Sequence, residues 1–526
     1  MDKLFFILSI LLLTVSSFFS LYGQFQMLQQ NSYFPSRYFK WVSGAFSPSP
    51  AVCCIFFCAI MNVFYSRSLY VLALCVAAAW LIFCVFGAIR KAGKSIKPLV
   101  FTGRIKRLYA AAIITVSALD AVFIVLYGNL ASTVCMMISV MLCTVTPLLC
   151  LTAWLLTLPV EKAFNRYYIN DAKKILKSSP RLTVIGITGS YGKTTTKFIL
   201  TRILSERFNT LCTPASFNTP LGVVRTVREK LKPQTEIFVC EMGAKNKGDI
   251  KEICDIVHPS YGIITSVGPQ HLETFKSEDT VFDTKFELCD SIEKYGKMCF
   301  AYAGSPGIAA RRDKKPFCTY FGDGTDYFAD NIVSSAKGTS FDMHLKGETV
   351  HLNTKLLGIH SVSDILSAAA VAFTLGVSAD DIKVAVSSLK ATEHRLELKP
   401  FMNGSLVIDD AYNSNPEGCL EALNVLGSFE GMRKTVITPG LVELGDREYD
   451  CNYKLGLACA AHADDIILVG INRSEPMKKA VLESDFDQNR LHIVPSFKAG
   501  LEIYGKYADK ESVLLIENDL PDNYLN

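Results

Sequence analysis

The stretch VIGITGSYGKTTTKFIL, which begins at Val184, sets glycines, a lysine and a run of hydroxyl residues between an apolar run and a segment of helical spacing. That composition suits phosphate chemistry. Gly189 and Gly192 let the backbone turn its amides toward phosphate oxygens, Lys193 can reach a transferring phosphate, and the Thr194 hydroxyl can bind magnesium. Ser190 and Thr195, in the same loop, are candidate nucleotide contacts. The strict pattern GxxxxGK followed by Ser or Thr is not met, because Ile187 stands at its first glycine. The setting supports the reading: RLTVIGIT is a short β-branched run, and Phe198, Ile199, Ile203 and Leu204 recur at helical spacing, so strand, glycine loop and helix follow in order.

The elements that must carry this loop lie in two unlike halves of a 526-residue chain. Apolar stretches at about 3–21, 48–65, 69–89, 108–128 and 132–158 approach the roughly 20 residues that a membrane span needs, so residues 1–160 are expected to form a transmembrane domain of about five helices. The first is read as a retained helix, since no clean small-residue cleavage site follows it. Arg90, Lys91, Lys94, Lys97, Arg104, Lys106 and Arg107, together with a basic linker at 161–179, place those segments and the soluble half on the cytoplasmic side. Asp120, inside the fourth span, should face a helix partner or a polar cavity. The net charge of +4 is small and its basic excess borders the apolar segments, which fits a membrane face and not nucleic-acid binding. The 17 cysteines show no CxxC pair or Cys/His cluster, so no structural zinc or iron–sulfur site is expected.

Beyond the linker, residues 180–398 read as a central ATP-binding domain with a small antiparallel β insertion near 316–358, where aromatic or branched residues alternate with polar ones. Residues 399–526 alternate short apolar runs with helical segments, as in a small doubly wound domain. The expected fold class is an α-helical transmembrane domain followed by two α/β domains.

GITGSYGKTTTK resembles the ATP loop of the Mur ligase family, whose members build bacterial cell-wall precursors. Further segments follow the family order: NTPLGVVRTV from Asn218, EMGAKNKGDI from Glu241, ITSVGPQHLETFKS from Ile264, TKFEL from Thr284, LLGIHSVSDILSAAAVA from Leu356, EHRLE from Glu393, IDDAYNSNPEG from Ile408 and TPGLVELG from Thr438. Together they cover about residues 180–470 and are most similar to the members that add D-alanyl-D-alanine. The resemblance implies a P-loop ATPase-like central domain and a Rossmann-like C-terminal domain that use ATP and Mg2+. It also implies conversion of a muramyl-peptide carboxylate to an acyl phosphate, which an amino acid or D-alanyl-D-alanine then attacks. Lys193 would neutralise the transferring phosphate, Thr194 and Glu241 would hold magnesium, His271 would serve a second metal, and Lys285 would be the carbamylated lysine. Asp364 would contact adenine, Arg395 the nucleotide phosphates, and Asp409 and Asn413 the nucleotide from the closing C-terminal domain. Asn218, Thr219, Tyr412 and Asn415 would meet substrate. The implied location is a multi-pass protein of the bacterial cell membrane with its ligase domains on the cytoplasmic side.

The departures concern substrate more than reaction. No counterpart of the family's uridine-nucleotide domain is identified, because apolar spans precede the ATP loop, so the muramyl peptide is either nucleotide-linked or lipid-linked and the bilayer is itself a partner. Ser361 and Asp364 replace asparagines at the adenine, and Asn452 replaces a histidine. Glu517, Asp519 and Asp522 give an acidic end that would favour an amine over a dipeptide carboxylate or be merely solvated. Ligation of a different amine to a lipid-linked wall intermediate, a non-catalytic membrane scaffold and an ATP-driven transport component are the alternatives.

Overall fold

Within residues 2–518, a computed structural model describes all but 32, 45–56, 58, 62, 65–68, 95–96, 126–145, 216, 269–274, 276, 412–414, 443 and 472. The chain divides into two units, one running to Arg166 and the other starting at Tyr167.

In the N-terminal unit the apolar runs form helices, among them Asp2–Gln30, Tyr70–Lys94 and Gly103–Val125. Three described helical stretches, Lys3–Gln30, Tyr70–Gly93 and Thr146–Lys177, are long and apolar enough to cross a membrane. The first outruns its apolar stretch because its polar end finds partners: the Gln26 and Gln30 side chains donate to the Lys97 carbonyl at 2.9 and 2.8 Å, and Gln29 exchanges two bonds with the Val100 backbone. The segment expected as a basic linker is helical as far as Lys177. The expected second span, and the expected fifth before Thr146, lie largely outside the described residues. Asp120 is buried and accepts from the Thr14 hydroxyl, which supplies the helix partner its position demands. Glu161 is also buried and takes a two-pronged bond from Arg107, at 2.6 and 3.0 Å.

The second unit contains two six-stranded sheets. The first is built from β1 (Thr183–Thr188), β2 (Thr210–Cys212), β3 (Ile237–Glu241), β4 (Tyr261–Ile264), β5 (Met298–Tyr302) and β6 (Cys318–Phe321), all parallel in the order β2-β3-β1-β4-β5-β6. Such strands are covered on both faces, and β1, β3 and β4 are accordingly near-continuous apolar runs. Ile185, Ile187 and Val239 pack on one face with helices Lys193–Leu204 and His360–Thr374, while Val184, Phe238 and Cys240 pack on the other with Asp249–Val257 and Glu278–Tyr295. Cys318–Phe321, expected within the β insertion, instead extends this sheet beside β5. The antiparallel three-stranded sheet consists of β7 (Tyr327–Ser335), β8 (Gly338–Leu345) and β9 (Glu348–Thr354).

The C-terminal sheet runs β10-β11-β15-β12-β13-β14, with β10 (Glu397–Pro400) antiparallel to β11 (Leu406–Asp410). The rest, β12 (Arg433–Thr438), β13 (Asp465–Val469), β14 (Leu491–Val494) and β15 (Ser512–Glu517), are parallel to their neighbours. Helices Glu448–His462 and Glu475–Leu482 pack closely against each other because Gly456 has no side chain: a Cβ there would lie 2.6 Å from the Met477 carbonyl oxygen and 2.8 Å from its Cα. Helix propensity alone would make Gly456→Ala stabilising by about 1 kcal/mol. The backbone contact reverses that sign, and the variant is expected to lose about 1–3 kcal/mol, read as a lower thermal midpoint of the detergent-solubilised protein; an unchanged or raised midpoint would refute the close packing.

Candidate active site

After Thr188 the chain turns through Gly189 (φ 150°) and Gly192 (φ 78°) into helix Lys193–Leu204. Both turns require glycine. A Cβ on Gly189 would fall 2.0 Å from Thr265 Oγ1, and one on Gly192 would fall 2.2 Å from Asp364 Oδ1. The loop is fastened to the segment after β4: the Ser190 and Tyr191 amides donate to the Ser266 carbonyl at 2.8 and 3.2 Å, and Ser190 Oγ donates to the Gly268 carbonyl at 2.9 Å. Lys193 Nζ donates to the Gly189 and Ser190 carbonyls, both at 2.8 Å, and burial pushes its ammonium down to about 8.

Beneath the loop lies a buried network centred on Glu241, the last residue of β3. The Thr194 hydroxyl is 3.1 Å from both carboxylate oxygens, Lys197 Nζ is 2.9 Å from Oε2, and Asn218 Nδ2 donates to Oε1 at 2.9 Å. Lys197 is fully buried as well and donates to the Ala215 carbonyl. Sequence reasoning missed Lys197, although it follows Lys193 by four residues and so shares its helix face. Asn218 is thereby engaged with Glu241, while Thr219 caps helix Pro220–Lys230 by accepting from the Gly222 amide at 3.3 Å.

Lys285 is carried by helix Glu278–Tyr295, which starts at Ser277, whose hydroxyl accepts from the Thr280 amide at 3.2 Å. Its side chain is buried, and desolvation followed by the nearby charge of Lys193 lowers it to about 7. A lysine held there is substantially neutral near pH 7 and is a competent nucleophile toward carbon dioxide.

A cleft beside the loop is lined by Tyr191, Gly192, Thr195, Tyr302, Phe321, Ser361, Asp364, Arg395, Asp410 and Asn415, among others. The Tyr302 and Phe321 rings stack with centroids 5.3 Å apart. They stand at equivalent C-terminal positions of β5 and β6 and were not singled out from sequence. Asp364 sits against the glycine loop itself: it accepts from Thr196 Oγ1 at 3.0 Å, and burial pushes its carboxyl up to about 7. Ser361 donates to the Gly358 carbonyl at 2.7 Å. Of the two adjacent aspartates ending β11, Asp410 lines the cleft, as strand alternation demands that only one can. Asp409 instead accepts from Lys399 Nζ at 2.7 Å and His394 Nδ1 at 2.9 Å, and those partners hold it below the usual range although burial opposes them. Asn415 caps helix Pro416–Gly427, accepting from the Gly418 amide at 2.9 Å. Farther along that helix, Glu421 accepts from the Ile359 amide at 2.6 Å, just ahead of helix His360–Thr374.

His271, Tyr412 and Asn413 lie outside the described residues. Asn452, at the position of an expected histidine, is a satisfied buried amide that holds the Leu441 N–H and carbonyl at 2.8 and 3.1 Å. Glu517 is not part of a solvated end. It is buried at the end of β15, where it accepts from the Cys419 thiol at 2.9 Å, and Asp519 and Asp522 lie outside the described residues.

The Mur ligase middle domain matches residues 187–372, and the Mur ligase glutamate ligase domain matches residues 394–517. The UDP-N-acetylmuramoyl-tripeptide--D-alanyl-D-alanine ligase of Bacillus subtilis is 32% identical over 268 residues, covering 50% of this chain and 57% of its own. That of Mycobacterium tuberculosis is 30% identical over 304 residues, covering 56% and 59%. The chain thus spans less than two thirds of the length of these relatives. Among solved structures, MurF from Acinetobacter baumannii superposes with a TM-score of 0.61 at 26% identity, over 69% of this chain and 78% of that one. MurF from Thermotoga maritima in complex with ADP shares the fold, with a TM-score of 0.61 at 22% identity, over 69% and 81%. With two Mur ligase domains matched in order and together spanning more than half of its length, the chain belongs to the Mur ligase family.

Proposed function

We propose that this chain is a membrane-anchored, ATP-dependent ligase that forms an amide between an amine and the carboxylate of a muramyl-peptide precursor. The observation that carries this reading is the Glu241 network beneath a glycine loop, with a buried, charge-depressed Lys285 in the same domain. The residues fit the groups the reaction needs. Hydroxyl and carboxylate oxygens of Thr194 and Glu241 are hard donors that suit Mg2+, and the Gly189–Gly192 turn leaves backbone space that any side chain would fill. Magnesium ATP would supply the phosphoryl group that converts the carboxylate to an acyl phosphate with release of ADP, and the amine would then displace phosphate to give the amide.

The chain's own residues then have separate tasks. Lys193 would offset charge at the transferring phosphate and Thr194 and Glu241 would hold magnesium, while Lys197 and Asn218 hold Glu241 in place. As the neutral amine, Lys285 would add carbon dioxide at its nitrogen and release one proton, becoming an anionic carbamate that would help position the metal. Tyr302 and Phe321 give the base an apolar wall, with Arg395 and Asp410 facing the same cleft. His271 would serve a second metal, Asn413 the nucleotide, and Tyr412 and Asn415 the substrate.

D-alanyl-D-alanine is the amine in the relatives' names and is the one we assign. Candidate spans precede the ATP loop, which favours a lipid-linked acceptor over a nucleotide-linked one, with the ligase domains on the cytoplasmic face of a bacterial membrane. The test offers detergent-purified protein ATP, magnesium and either acceptor, with D-alanyl-D-alanine or single amino acids, and follows acceptor mass and ADP. A dipeptide mass gain with matching ADP supports the assignment; no gain on either acceptor sinks it.

Lys285→Ala is expected to abolish product formation while leaving the thermal midpoint and membrane fraction intact; retained turnover would remove the role given to the lysine. In carbon dioxide-free buffer the wild type should lose activity and regain it with bicarbonate, more fully above pH 7, where the Lys285 amine is neutral, than below it. Asp364 titrates near 7 against the phosphate loop, so lowering the pH through 7 removes a negative charge beside the triphosphate. The KM for ATP should therefore fall with pH in the wild type and be flat over the same range in Asp364→Asn.

A further inference from the structure

The helix, β5 and β6 bring together three cysteines that no spacing rule connects. Cys299 and Cys318 are register partners on adjacent parallel strands, and Cys289 comes from helix Glu278–Tyr295, which covers that face. The Cys289 and Cys318 sulfurs are 3.1 Å apart, and all three sulfur atoms lie within 4.8 Å of one another. Cys289 and Cys299 are fully buried, and Cys318 retains 7% exposure on β6, an end strand of the sheet. The surroundings are apolar, with Phe286 and Tyr320 in the same packed cluster. Among the described residues no histidine, carboxylate or further cysteine completes a fourth corner.

We propose that Cys289, Cys299 and Cys318 form a three-sulfur site for a soft metal ion of low coordination number, with monovalent copper as the ion of best fit. Thiolate sulfur selects copper(I), zinc and iron–sulfur clusters over hard cations. Zinc in closed structural sites takes four ligands, and with three it keeps an open position for water. This site provides three sulfurs in an enclosed apolar setting, which suits an ion content with three sulfur donors. Lys315, paired with Asp290, places a positive charge near Cys289 and Cys318. On binding, sulfur–copper bonds replace sulfur–hydrogen bonds and the protons leave to solvent; no electron is transferred. Cys318, on the end strand, is the point of entry.

The test titrates the full chain in detergent, reduced and under nitrogen, with copper(I) against a chromophoric copper(I) chelator. Cys299→Ala and Cys318→Ser are compared with the wild type and with Cys459→Ala, whose thiol is buried in the C-terminal domain. The wild type and Cys459→Ala should hold one tight copper equivalent that the two cluster variants lose, with affinity at that site down by about tenfold or more. X-ray absorption of the one-equivalent complex should show sulfur neighbours alone, and copper should raise the thermal midpoint of the wild type but not of Cys318→Ser. Equal tight binding in all four proteins, or a copper shell containing nitrogen or oxygen, would overturn the proposal. If Cys299→Ala fails to fold, Cys318→Ser at the strand edge carries the comparison.

Discussion

The buried ion pair between Lys197 and Glu241 is the constraint on which the site depends. Removing two such charges from water costs several kcal/mol per ion, and mutual attraction offsets this only when the remaining donors and acceptors are satisfied. Here they are: Thr194 and Asn218 share the carboxylate, and the Ala215 carbonyl takes another bond from the ammonium. The pair joins the helix after the glycine loop, the end of β3 and the segment before Pro220. Three separate pieces of chain are thus held in one geometry by groups that cannot be left singly in an apolar interior.

The same dryness explains the titration pattern. Burial lowers Lys193 to about 8 and Lys285 to about 7, and raises Asp364 to about 7 and Asp410 to about 6. Cations and carboxyls are both driven toward neutrality. Groups with pKa values near the working pH exchange protons at little cost, and a domain with several of them can bind a highly charged ligand without first carrying a large charge of its own.

Much of this was legible in the sequence. The glycine loop, the alternation of strands and helices and the β insertion follow from local spacing, because a phosphate loop and a parallel sheet impose short-range demands on residue type. Lys197 was not legible, since a lysine in a helix ordinarily reads as solvated and only its partner on β3 reveals its burial. The Asp409–Asp410 pair could not be resolved without the strand's facing. Asn415 and Thr219 were read as substrate contacts, and the structure engages both as helix caps, a task their side chains perform at either kind of site. Cys289, Cys299 and Cys318 are separated by irregular intervals, so only the packing of a helix over two neighbouring strands unites them. Glu517 was read with an acidic end because the last residues are polar, yet it closes a buried strand.

The bond from the Ile359 amide to Glu421 joins the C-terminal domain to the start of the helix that bears Asp364. One carboxylate thereby ties the helix that lines the cleft beside the glycine loop to the C-terminal domain. An arrangement of this kind carries position from one domain to the other: any displacement of the start of that helix moves the amide that Glu421 holds, so the two domains are registered to each other through a single carboxylate oxygen.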